Sequence, residues 1–226
     1  MNKILLAFLL ITFAFAEVSA KTVQSGYRWR NDDGDETTAT WKAPIRQPVY
    51  LGGIETIRLR LQIDEGLDSE VFNEEISLYY SSGTFGSPWQ KITTNPGNAF
   101  VLFNSPHLPD LSPTSRQLNA QDRTFQPGLF FGSTFDYEVT IPLDHYSEYE
   151  WALRPSVSAD PSVYYFAMGF DGEDFPEIIT GVFSEEEAAT LYYKVRPPGV
   201  PLKTWSVYGT LVLLVGFVLI RYRRLI

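Results

Sequence analysis

Between residues 57 and 63 the chain alternates without a break, with Ile57, Leu59, Leu61 and Ile63 on one side of an extended backbone and Arg58, Arg60 and Gln62 on the other. Successive side chains of a strand point to opposite faces, so this contrast commits the segment to a sheet with an apolar face to bury. The pattern predicts one buried and one solvated face. Long helical periodicity is missing from the central part of the chain, where short alternating aromatic runs are punctuated by Gly and Pro. That is an all-β signature.

Other segments repeat the theme. Tyr27-Arg28-Trp29-Arg30 alternates ring and charge, and Glu36 to Trp41 follows Asp33-Gly34, a dipeptide favoured in two-residue hairpin turns because glycine accepts positive φ. A hairpin between these two runs is expected. Further strands are predicted over Glu75 to Tyr80, Trp89 to Ile92, Phe135 to Ile141, Tyr149 to Leu153, Val163 to Phe170, and around Leu191, Tyr193 and Val195. From Asn95 to Gln126 the chain is rich in Pro, Ser and Asn, and Pro106, Pro109 and Pro113 rule out a central strand there. It reads as a long excursion with one short strand at Phe100 to Phe103. Ser184 to Ala189 is expected to form a single helical turn. Eight or nine short strands, each with a buried face, make two sheets packed face to face, an immunoglobulin-like or jelly-roll β-sandwich. With no cysteine to cross-link it, the fold must rest on its core, and 13 Tyr and 16 Phe supply the apolar surface.

Both ends of the chain read as directed to lipid. Met1 to Ala20 has Lys3, an apolar run from Ile4 to Ala16, and small residues at Val18-Ser19-Ala20 that suit cleavage before Lys21, as in a signal peptide. Residues 21–196 form the expected ectodomain, and 197–204 a Pro/Gly linker. Residues 205–220 then form a transmembrane helix of about 24 Å at 1.5 Å per residue, and 221–226 a basic stub. Arg221, Arg223 and Arg224 stay on the cytoplasmic side, which leaves the domain outside.

From Lys21 to Thr204, Lys and Arg number 14 against 26 Asp and Glu, an excess of negative charge that repels phosphate backbones and argues against a nucleic-acid partner. It is compatible with cations. The densest acidic turn carries Asp32, Asp33 and Asp35, candidate oxygen ligands for Ca²⁺, although Gly34 stands fourth in the turn where an EF-hand loop needs glycine sixth. Asp171-Gly172-Glu173-Asp174 is a second acidic turn. No other cofactor is expected. Only His107 and His145 are present, neither at metal-ligand spacing from a partner, and there is no Gly-x-Ser-x-Gly elbow.

Tyr27 to Gly34, Glu36 to Trp41, Arg58 to Leu61 with Asp64-Glu65, Glu148 to Leu153 and Tyr164-Tyr165-Phe166 together resemble a β-sandwich module that recurs in large exported proteins of bacteria. The likeness spans most of Ser25 to Val195 and implies location and fold rather than an activity. Val200, Pro201 and Trp205, followed by the apolar helix and by Arg221, Arg223 and Arg224, resemble the tripartite sorting signals of exosortase-type systems. That resemblance implies recognition by a membrane-bound sorting peptidase; a plain permanent anchor is the other reading of the same tail. The function expected is a non-catalytic module displayed outside the membrane, with a structural or binding role. A carbohydrate-binding or adhesive module is the alternative, with glycans or other surface proteins as partners and Trp29, Trp41, Trp89 and Trp151 as candidate stacking platforms. A secreted hydrolase, the third reading, needs two carboxylates converging in a cleft.

Overall fold

The computed structural model describes residues 23–64, 72–85, 88–118, 122–171, 176–178 and 188–195. Two sheets, with no helix among the described residues, pack face to face around one core. The first sheet places β1 (Val23–Asn31) beside β3 (Ile57–Asp64) and β3 beside β9 (His145–Pro155). The far edge of β9 is shared between β7 (Thr124–Phe131), which runs parallel to it along its first half, and β6 (Phe100–Leu102), antiparallel along its end. The second sheet runs β2 (Val49–Leu51), β12 (Ala189–Tyr193), β10 (Ser162–Asp171), β4 (Phe72–Ser82) and β5 (Gln90–Lys91). Here β8 (Tyr137–Ile141) extends the edge of β4, and β11 (Pro176–Ile178) the edge of β10.

The inward faces follow the alternation. Trp29, Leu59, Leu61 and Trp151 come from the first sheet, Leu78, Tyr80, Phe166 and Leu191 from the second, and all are buried. Phe100 joins the layers, its ring meeting Phe166 at 5.0 Å and 89° and Tyr164 at 4.8 Å and 70°. Trp29 meets Phe166 edge-on at 5.3 Å. Edge-to-face pairs of this kind contribute beyond the area they bury, about 0.5–1.5 kcal/mol each.

Three expectations are corrected. Residues 36–41 are not a strand of a hairpin with β1: an isolated bridge joins Arg30 to Trp41, and β1 pairs along its length with β3. Asp35 Oδ1 accepts from the N–H groups of Thr37 and Thr38, which coils the chain into a local turn. Gly34 does not have positive φ, the one such glycine among the described residues being Gly83. It is small because a Cβ there would lie 2.7 Å from Thr38 Oγ1. The second correction concerns β3, which is buried on both faces, since Arg58, Arg60 and Gln62 are as inaccessible as Ile57 and Leu59. The third concerns β7 and β2, neither of which the sequence pattern showed. Strand β7 carries Pro127 at a register shift, so its alternation is broken where it matters.

Leader, linker, sorting motif and apolar tail lie outside the described residues, as does most of the expected helical turn, whose last residue, Ala189, opens β12. No helix among the described residues is long and apolar enough to cross a membrane.

Candidate functional site

Among the described residues, the densest group of paired charges lies on the face of the first sheet turned away from the core. Strand register sets Arg30 opposite Arg58 and Arg28 opposite Arg60 across β1 and β3, and Arg60 opposite Glu150 across β3 and β9. Like charges facing one another across a ladder repel, so the cationic pairs need counter-charge. Glu150 supplies it. Its Oε2 lies 2.6 Å from Arg60 Nε and 3.3 Å from Arg30 Nη1, and its Oε1 lies 3.1 Å from Arg58 Nη1. Burial alone would raise the Glu150 carboxyl, but the guanidiniums of Arg60, Arg30 and Arg58 outweigh it and hold the group below the usual range.

Three further carboxylates complete the cluster. Glu148 Oε2 meets Arg60 Nη1 at 3.1 Å, while the N–H groups of Gln117 and Leu118 donate to the same carboxylate. Burial still raises Glu148, a shift that Leu118, Arg60 and Gln117 only partly offset. Glu36 reaches Arg60 Nη2 at 2.5 Å and accepts from the N–H and hydroxyl of Ser115. Asp32 lies 3.3 Å from Arg58 Nε and accepts from Ser105 Oγ at 2.6 Å. The backbone joins in, with Arg58 Nη2 donating to Gly34 O and Arg30 Nη2 to Ala39 O. Trp41 closes the rim, with the guanidiniums of Arg28 and Arg30 over its ring at 4.2 and 4.4 Å.

The cover over this face is the stretch that lacks periodicity. Loop 32–38 folds across the arginines, and residues 111–118 run beside β7, with Leu111 N donating to Phe130 O and Thr114 N to Gly128 O. Thr114 Oγ1 donates to Glu148 O and accepts from Gly128 N. Arg58, Arg60, Glu148 and Glu150 are fully buried as a result. A substrate could reach the two glutamates only by displacing this cover. As arranged, the cluster clamps two loops and three strands together.

The ion pairing of Arg58 and Arg60 with surplus carboxylates was foreseeable as chemistry, but its partners were not named by the sequence reading. A signal for them exists: Glu148 and Glu150 alternate with Tyr149 and Trp151 just as Arg58 and Arg60 alternate with Leu59 and Leu61. Two strands with complementary charge on one face and rings or aliphatics on the other are suited to be neighbours.

The candidate Ca²⁺ residues do not converge. Asp32 turns to Arg58, Asp33 accepts from the N–H and hydroxyl of Thr40, and Asp35 Oδ1 accepts from Thr37 and Thr38. Those bonds hold Asp33 and Asp35 below the ordinary carboxylate range. No group of three metal-ligating side chains forms among the described residues. Asp171 ends β10, and 172–174 lie outside the described residues. His145 opens β9 with Nδ1 2.7 Å from Leu143 O, and His107 lies in the loop after β6, its N–H donating to Ser105 Oγ. Of the four candidate stacking tryptophans, Trp29 and Trp151 are core. Trp41 lies beneath two arginines, and Trp89 is half-buried, edge-on to Phe85. Comparison of the chain with protein-family models, curated proteins and solved structures returns no match.

Proposed function

We propose that this chain is an exported, membrane-tethered or surface-sorted β-sandwich module whose role is structural display or binding rather than catalysis. The observation that supports this reading best is the closure of its charged face. The residues best equipped for acid–base work, Glu148 and Glu150, are fully buried and engaged by arginines and backbone amides. A general acid or base must reach the proton it moves, and these two do not reach solvent. What the cluster does is fix loops to strands in a domain without disulfides. The sandwich is of immunoglobulin-like or jelly-roll type, and its parallel pairs β2–β12 and β7–β9 set it apart from an all-antiparallel arrangement of either kind.

The tether rests on the ends of the sequence. The run from Val207 to Ile220 is free of charge and is followed at once by Arg221, and the leader carries the pattern for export. Fractionation of expressing cells, with mass spectrometry of both termini of the mature protein, tests it. A start at Lys21 and recovery with membranes are expected. A carboxyl terminus at Ile226 identifies a permanent anchor, and a cut between Pro201 and Trp205 identifies processing by a sorting peptidase. Full-length protein with Met1 in the soluble cytosolic fraction would refute the reading.

A further inference from the structure

One end of the sandwich carries an open polar cleft of about 340 Å³, bounded where β4 ends, β10 begins and the loops near Gly97 and Ser158 approach each other. Its floor is rigid, made by Tyr80 and Tyr164, whose rings belong to the core. The Tyr80 hydroxyl accepts from Ala99 N at 3.1 Å and donates to Gln90 Oε1 at 2.6 Å. With its oxygen so occupied, the Gln90 amide presents its NH₂ as a donor. Tyr164 donates to the Asp160 carbonyl at 2.9 Å, which leaves the hydroxyl oxygen as an acceptor. Ser82 and Ser162 add hydroxyls at the walls, Ser158 adds one that donates to Pro96 O at 3.5 Å, and Asp160 is the acidic residue among the described lining. Among the described residues, no Lys, Arg or His lines the cleft.

This set is selective by chemistry. An anionic ligand would meet a carboxylate and no cation, and an apolar one would strand hydroxyls and an amide without partners. A neutral body that offers both O–H donors and oxygen acceptors around its perimeter satisfies them. The volume, at the lower end of small-ligand sites, suits a single ring with its waters. We infer that the cleft binds a neutral polyhydroxyl ring, a sugar residue, carried either by a free glycan or by the headgroup of a glycolipid.

Position adds to the inference. Tyr193, the last residue of β12, pairs with Ser162 on the cleft wall, and the described chain leaves the domain just beyond, at Lys194 and Val195. Residues 196–204 span at most about 32 Å at ~3.6 Å each. On the tethered reading, on which this clause alone rests, the end of the described chain at Val195 lies within about that distance of the bilayer, on the same side of the domain as the cleft wall.

The test uses the full chain in detergent on a glycan array, and in nanodiscs of phosphatidylcholine with and without a neutral glycolipid. Binding to neutral glycans is expected, weakened at least tenfold by Ser158→Trp, which fills the cleft, and by Asp160→Asn, which removes its carboxylate. Both sites are exposed loop positions, and an unchanged melting temperature checks each variant's fold. Array binding alone identifies a free glycan as the source, and retention by glycolipid nanodiscs alone identifies the headgroup. No binding above background in either format, or binding that survives both substitutions, overturns the inference. The array result does not depend on how cells localise the protein, so failure of the tether and failure of the cleft are read separately.

Discussion

Glu150 is the residue on which the charged face turns, because three guanidiniums meet at one carboxylate buried away from bulk solvent. Breaking a buried ion pair from one side leaves an uncompensated charge and costs about 3–5 kcal/mol. Glu150→Gln is therefore expected to lower stability by about that amount in urea unfolding, and Glu148→Gln by less, since among the described residues Glu148 has one guanidinium partner, Arg60, where Glu150 has three. The pH response has a defined sign. Glu150, Asp33 and Asp35 all have folded values below the ordinary carboxylate value of about 4. Their stabilisation is complete above that value and is lost as pH falls through the folded ones. Glu148, raised by burial, acts in the opposite direction, costing stability as pH climbs from about 4 to its raised value. Urea midpoints measured from pH 5 down to pH 2.5 should fall with acidification, with a shallower slope in Glu150→Gln; an unchanged slope would show that Glu150 is not ionised in the folded state. At this scale the sequence was half legible. Alternation in β3 showed which residues share a face, and the apolar set went where it pointed. It could not show that a second layer covers Arg58 and Arg60, because periodicity records a side chain's direction and not what lies beyond it.

Among the elements, β7 and the stretch beside it were the least legible and bear directly on the site. Pro127 and Gly128 break the alternation of β7, yet Gly128 is there for contact: a Cβ would collide with the Glu148 carbonyl oxygen and lie 2.8 Å from Ser147 Oγ. Gly128→Ala is expected to cost about 1–3 kcal/mol by overpacking and to loosen the β7–β9 pairing, seen as faster amide exchange along β7. Thr114 is the second hinge of this arrangement, donating to Glu148 O and accepting from Gly128 N. Thr114→Val keeps the shape and removes both bonds, leaving two buried backbone groups unpaired at about 1–3 kcal/mol each. The protection of Gln117 and Leu118 amides should fall with it, since those N–H groups bond Glu148 only while the cover is closed. Exchange rates that stay at wild-type values in Thr114→Val would show the cover to be held by something else. The prolines at 106, 109 and 113 are incompatible with a central strand, and none forms over 103–118; what prolines do not convey is that the stretch around them lies over a sheet rather than in solvent.

For the molecule as a whole, class was legible and connection was not. Short aromatic runs between Gly and Pro marked two sheets, whereas the pairing of β2 with β12 joins Val49 to Leu191 across most of the chain, and no local signal announces it. Pairings so distant in sequence slow folding, because the closing entropy of the loop must be met before contacts form. Refolding from urea should take milliseconds to seconds. Fluorescence of Trp29 and Trp151, core residues of the first sheet, should follow the same single transition as far-UV circular dichroism of both sheets. Two separated transitions would mean that the sheets do not unfold as a unit. Strand β12 has one further property. It lies between β2 and β10, hydrogen-bonded on both sides, and Lys194 N is bonded to Leu51 O where the chain departs. A pull delivered through the tail therefore acts along the strand axis and strains both ladders in shear at once, instead of opening them one rung at a time, so β12 is set to resist being drawn out.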